Sequence, residues 1–190
     1  RKYTLDLYKE LEKKVDHSAG LRLNGALSIA QNKERWQELL RQATTAQLYN
    51  VDVKVLDKNQ IKNDYPIINT DEIIGGILMP GDGAAEPSGV TNMLAKAARM
   101  EGVQIFEKSP VDEIFVKNGK IQGVKVNGKL IECEYIVLAS GMWSRQIGEK
   151  VGVSIPLYPA EHFYVITEPI EKLSKTLPVI RDFDNRVYIK

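Results

Sequence analysis

Asn118-Gly119 and Asn127-Gly128 follow one another closely, each joining short runs in which apolar and polar residues alternate. Asn-Gly is the strongest short hairpin signal, because both residues tolerate the positive φ that a tight two-residue turn demands. The stretches Val111–Lys117, Lys120–Val126 and Lys129–Glu134 therefore read as a three-stranded β-meander. Before it, Val90, Met93, Leu94, Ala97 and Ala98 recur at helical spacing, with Ser88 as the expected cap and Gly102 as the stop. A strand Val103–Phe106 is expected to follow. After the meander, Tyr135–Ala139 is continuously apolar, as expected of a strand buried on both faces of a parallel sheet. The turn Ser140-Gly141 and a helix over Trp143–Val151 complete the series. Helix, strand, meander, buried strand, glycine turn and helix form the second half of a dinucleotide-binding fold whose crossover is a meander.

The N-terminal half adds further elements. Tyr3–Lys14 reads as an amphipathic helix through Leu5, Tyr8, Leu11, Glu12 and Val15. Leu21–Ala30 is a predicted strand, and Asn32 caps a predicted helix Lys33–Tyr49 with Trp36, Leu39, Leu40 and Ala43 on its apolar stripe. Val51–Leu56 alternates as a strand, and Asp57–Asp64 is a short helix ended by Tyr65-Pro66. Ile73–Met79 contains Gly75-Gly76, which implies a bent or closely approached strand, and Pro80–Gly83 is a loop. Arg186–Lys190 reads as a strand cut short. With Arg1 standing inside a helical pattern, flanking sequence is expected on both sides.

Composition excludes several classes of function. Against 26 basic side chains stand 25 acidic ones, which leaves no electrostatic footprint for nucleic acid or an anionic membrane. No apolar stretch is long enough to span a bilayer, and no segment resembles a secretory signal. The expected location is the bacterial cytoplasm or the mitochondrial matrix. Cys133 is the single cysteine, so no intrachain disulfide forms. No cluster of His, Cys and carboxylates has metal-ligand spacing, and no G-x-G-x-x-G occurs. His17 and the lysine-rich stretches read as solvated surface.

Three places can carry chemistry. Ala139, Ser140 and Gly141 lie at the carboxyl end of the predicted buried strand, where open parallel sheets bind their ligands. Glycine there lets backbone approach a pyrophosphate, and the next helix offers free N–H groups; a plain tight turn would favour glycine too. At Val111 a fixed backbone donor and acceptor could pair with an adenine edge, or the residue is simply core. Within a predicted strand Ala160–Thr167, alternation puts His162, Tyr164 and Ile166 on one face. His and Tyr side by side could bind a carboxylate or govern an amine's protonation, or belong to a half-buried aromatic strand.

Several stretches, in order, resemble the flavin oxidoreductase domain of dimethylglycine and sarcosine dehydrogenases, within the D-amino-acid-oxidase superfamily. They are Tyr8–Glu12; Asn24–Ala30 with Glu34-Arg35; Pro80–Gly83 with Glu86-Pro87; Leu94–Arg99; Ala139–Ser144; Pro159–Pro169; and Leu177–Asp182 leading to Tyr188. The resemblance implies a mixed α/β fold. A partial FAD-binding domain (1–20 and 85–155) would be interleaved with a partial substrate domain (21–84 and 156–190). It implies FAD as cofactor and hydride transfer from an N-methylated amino acid. Val111 would then meet the adenine half, and Ala139, Ser140 and Gly141 the pyrophosphate and ribose, with Trp143 holding the turn. His162 and Tyr188 would act in catalysis and Tyr164 in substrate binding. Tetrahydrofolate would be served by a separate region absent from this chain, and the electron acceptor is left open. Lacking the glycine-rich fingerprint, the chain alone is not expected to hold FAD tightly. Phe163 stands where many relatives carry a polar residue, which leaves the substrate open. A regulatory, non-catalytic relative is the alternative, as is a superfamily member acting on a hydroxy acid, glycerol phosphate or D-amino acid.

Overall fold

The computed structural model describes residues 2–171 and 173–190; Arg1 and Lys172 lie outside the described residues. Two compact units emerge, Arg1–Val103 with Pro169–Lys190, and Gln104–Glu168. The architecture is mixed α/β with two sheets, as the sequence led us to expect.

The first unit opens with helix α1, Lys2–Val15. Its apolar stripe packs on a second helix of the same unit, so that Val15, Ala19, Met93 and Ala97 form one buried cluster flanked by Tyr8 and Leu11. Glu12 falls on that stripe for a polar reason. Its carboxylate accepts the Ala19 N–H at 2.6 Å and the Ser18 hydroxyl at 3.3 Å, tying down the chain that leaves the helix.

Strand β1, Ala26–Ala30, is buried along its whole length. It begins later than the predicted Leu21. Gly25 turns the chain at φ +90, and before it only Arg22 makes an isolated bridge, to Ala84. Helix α2, Lys33–Leu48, starts at Asn32, whose side chain accepts the Arg35 N–H. Strand β2, Lys54–Asp57, starts later than the expected Val51. Helix α3, Lys58–Asp64, is closed by a reciprocal capping box between Asp57 and Gln60. Strand β3 is Gly75–Met79. Helix α4, Pro87–Met100, is capped by Glu86 rather than Ser88, since Pro87 has the φ and the missing N–H suited to the first helical position.

The three strands join two from the C-terminal part, β7 (Val179–Asp182) and β8 (Val187–Ile189), in the order β2-β3-β1-β7-β8. Only the β1–β7 pair is parallel. Successive β1 residues face opposite sides of the sheet. Leu27 and Ile29 meet Ile61 of α3, whereas Ala30 meets Leu39 and Ala43 of α2 together with Ile77. A helix on each face explains why β1 is continuously apolar apart from Ser28. Each fully buried side chain such as Leu27, Leu39 or Ile77 contributes roughly 1.5–3 kcal/mol. Gly75 and Gly76 are closely approached as predicted: a Cβ would stand 2.8 Å from the Trp36 ring at the first and 2.7 Å from the Ser28 carbonyl at the second.

The second unit holds the meander: β4 (Val111–Lys117), β5 (Lys120–Val126) and β6 (Lys129–Glu132), paired in sequence order. Asn118, Gly119, Asn127 and Gly128 all have positive φ, as the hairpin signal required. Four predicted features differ. Val103–Phe106 and Tyr135–Ala139 form no strand, and Val137 is 89% exposed. Ala160–Thr167 likewise forms no strand, with Phe163 to Ile166 exposed. Each has a strand's residue pattern, but no ladder partner lies beside it among the described residues, and a strand exists only by pairing. The predicted helix Trp143–Val151 is shorter, a single 3-10 turn Gly141–Trp143 running into α5, Ser144–Glu149. No helix among the described residues is long and apolar enough to cross a membrane.

Candidate functional site

Within the second unit, Ala139, Ser140 and Gly141 form the approach to α5. Ala139 and Gly141 are exposed and Ser140 is half-buried. Gly141 has φ +54, and a Cβ built on it would meet nothing within 4 Å. Its backbone is thus open to close approach, the property a diphosphate-binding turn needs. With one 3-10 turn and a six-residue α5, the helix dipole adds little there. Trp143 is 63% exposed, and its backbone N–H donates to the Ser140 carbonyl at 3.2 Å. Val111 begins β4 opposite Val126, and its 45% exposure leaves it on the surface rather than in a core. At the turn itself, open backbone at the left-handed Gly141 leaves room that a diphosphate would need.

His162 lies in the strandless stretch at 160–167, and Tyr164 two residues later is 75% exposed. Without a ladder, the alternation that would set them on one face has no sheet to act on. Tyr188 belongs to the first unit. It sits at the centre of β8, opposite Arg181 of β7. Directly paired residues point to the same face, so Arg181 and Tyr188 share one side of the sheet edge. Arg181 reaches back to Asp82, with its Nη2 3.4 Å from Oδ2.

Sequence reasoning read the Pro80–Gly83 loop as a connection and as one of the stretches that carry the resemblance, and assigned it no part in a site. In the first unit it walls a cavity of about 520 Å³, lined by Tyr8, Leu21, Leu23, Val51 and Met79 with Asp82 at its edge. The loop is held against the chain before β1: Gly25 N–H donates to the Asp82 carbonyl at 2.8 Å, and Arg22 and Ala84 exchange bonds of 2.8 and 2.9 Å. A signal was present. Aspartate between two glycines in a short loop marks a turn whose carboxylate is held by backbone, and here Asp82 Oδ1 accepts the Gly83 N–H at 2.9 Å. Among the described residues no group of three or more His, Cys, Asp or Glu could hold a metal ion.

The family model for "DAO: FAD dependent oxidoreductase" matches residues 1–190. The chain belongs to the DAO family of FAD dependent oxidoreductases. The resemblance to dimethylglycine and sarcosine dehydrogenases read from the sequence holds over nearly the whole chain. Human mitochondrial sarcosine dehydrogenase is 34% identical over 187 residues, covering 96% of this chain and 20% of that protein. The mitochondrial pyruvate dehydrogenase phosphatase regulatory subunit of mouse is 30% identical over 191 residues, covering 99% of this chain and 22% of that protein. The chain thus spans about a fifth of the length of these relatives. Among solved structures, L-proline dehydrogenase from P. horikoshii superposes with a TM-score of 0.87 at 26% identity, over 98% of this chain and 50% of that one.

Proposed function

We propose that the protein carrying this DAO-family chain oxidises a C–N bond of an N-methylated amino acid such as sarcosine or dimethylglycine. The observation that carries this reading is 34% identity to human sarcosine dehydrogenase along 96% of the chain. FAD, when bound, supplies the acceptor for the hydride that leaves the N-methyl carbon. The chain's own residues are assigned to holding and proton handling. Val111 meets the adenine side, Ala139, Ser140 and Gly141 meet the diphosphate and ribose, and Trp143 flanks them. Tyr164 contacts substrate. His162 and Tyr188 receive or relay the proton of the amine, because hydride leaves readily only from a neutral amine.

In this reading 1–20 and 85–155 belong to the FAD-binding domain, and 21–84 and 156–190 to the substrate domain. The partner is a small amino acid, with no nucleic acid or membrane span, in a bacterial cytoplasm or mitochondrial matrix. Tetrahydrofolate, if used, is served by a separate region.

One observation favours a second reading. The regulatory subunit of mouse pyruvate dehydrogenase phosphatase is 30% identical along 99% of the chain, so a non-catalytic relative is the competing assignment. Purified full-length protein mixed with N-methyl amino acids, hydroxy acids, glycerol phosphate and D-amino acids separates the cases. Bleaching of a yellow protein by sarcosine or dimethylglycine alone supports the amine reading. Bleaching by another class redirects the substrate, and a colourless protein favours the regulatory one.

A further inference from the structure

The turn between β7 and β8 is pinned to the start of α2 by side chains about 150 positions away in sequence. Asp182 holds the turn, its Oδ1 accepting the N–H groups of Asp184 at 3.2 Å and Asn185 at 3.1 Å. Gln31, the residue that joins β1 to the cap of α2, donates from Nε2 to Asp182 Oδ2 at 3.1 Å. Asn185 closes the ring, donating from Nδ2 to Asp182 Oδ2 at 2.8 Å and to Gln31 Oε1 at 2.9 Å. One turn further along, Arg35 Nε lies 3.1 Å from Asp184 Oδ1 with both side chains less than one-third exposed. Its guanidinium also stacks 5.3 Å from the centroid of Phe183.

Among the described residues β8 ladders with β7 alone, and all three of its residues are exposed. Its placement depends on that ladder and on the turn that feeds it. The β1–β7 ladder positions Asp182 opposite Ile29, and the turn beyond it, Phe183 to Arg186, is held by Asp182 and tethered by the Gln31 and Arg35 contacts. Arg35 lies in the first turn of α2 and Gln31 directly precedes its cap, Asn32, while Leu39 and Ala43 anchor the helix in the core. The rigid body of the unit thereby reaches the hairpin that carries Tyr188.

We propose that Gln31 and Arg35 are positioning residues that set Tyr188 through the β7–β8 turn. The consequence for chemistry rests on the assignment of Tyr188 to proton handling; the consequence for placement does not. In this ring Asp182 only accepts, from Gln31, Asn185 and two backbone N–H groups. Gln31→Glu removes the Nε2 donor and sets two carboxylates against each other, and Gln31→Leu removes the contact without adding charge.

The test uses full-length protein with 3-fluorotyrosine at position 188 and follows its fluorine resonance. Gln31→Leu and Arg35→Met are expected to shift or broaden it, Gln31→Glu to do so as well, and Arg35→Lys, which keeps a cation beside Asp184, to move it less than Arg35→Met. A resonance that stays put in Gln31→Leu, Arg35→Met and Gln31→Glu overturns the inference, as does one that Arg35→Lys moves as far as Arg35→Met. In the first three variants kcat for the N-methyl amino acid is expected to fall about tenfold, with KM changed less than about twofold, as for a misaligned reacting group. Tyr188→Phe separates the two claims. If that substitution leaves kcat unchanged while the fluorine signal obeys the pattern above, the catalytic assignment of Tyr188 fails and the positioning by Gln31 and Arg35 stands.

Discussion

Arg181 stands across the β7–β8 ladder from Tyr188, and its guanidinium reaches the Asp82 carboxylate at 3.4 Å. One ion pair thereby links the edge hairpin to the loop that walls the cavity. Asp82 is the more enclosed partner, its side chain 15% exposed against 33% for Arg181. Removing Arg181 leaves a largely enclosed carboxylate without this cation. Arg181→Met is expected to cost about 1–2 kcal/mol, between the exposed-pair and buried-pair values. Adding Asp82→Asn should recover most of that loss. Urea unfolding of the two single variants and the double variant measures the coupling; strictly additive losses would mean the pair contributes nothing.

The two glycines of the same loop give a matched comparison. A Cβ on Gly81 meets nothing within 4 Å, whereas one on Gly83 would stand 1.8 Å from the Arg22 carbonyl oxygen, inside the Arg22–Ala84 bridge. Gly81→Ala is therefore expected to leave thermal stability unchanged. Gly83→Ala is expected to destabilise by about 2 kcal/mol or more, because backbone rather than a flexible side chain must move.

At the start of α4, the Glu86 carboxyl is held below the usual glutamate range, first by the Gly89 N–H and then by the Ser88 N–H. A carboxylate depressed by folding adds stability above its unfolded pKa, ordinarily 4.5, and loses it as pH falls through the lower folded value. Glu38 and Glu101 are lowered too, by Arg41 and Lys14 respectively, so the acid limb of wild type alone does not isolate Glu86. The difference does. Glu86→Gln should melt below wild type at neutral pH, and the gap should close as the pH is taken from about 5 to about 3. A gap independent of pH would show that charge at this cap is irrelevant.

What the sequence made legible was what local chemistry decides. Asn32 and Asp57 cap where their side chains predict, and the Asn-Gly pairs turn the meander where their positive φ allows. Pro87 should have moved the α4 cap to Glu86, since proline favours the first helical position and the cap is the residue before it. Tyr135–Ala139 and Ala160–Thr167 were read as strands from apolar content and alternation. Those patterns describe what a strand would bury, and pairing depends on a neighbour that a pattern cannot supply. The cavity was invisible for a related reason, because α1, Val51 and the Gly81–Ala85 loop converge only in three dimensions. Of the candidate site, the Gly141 turn was legible from one glycine after an apolar run. The bond from Gln31 to Asp182 spans 151 positions and carries no local mark.

The most direct test of the account is anaerobic rapid mixing of the full-length protein with sarcosine and with sarcosine deuterated in its N-methyl group. Oxidation at that carbon predicts loss of the flavin's yellow absorbance with both, several-fold more slowly with the deuterated compound. A protein that binds no flavin, or a flavin that stays oxidised with every N-methyl amino acid, would contradict it.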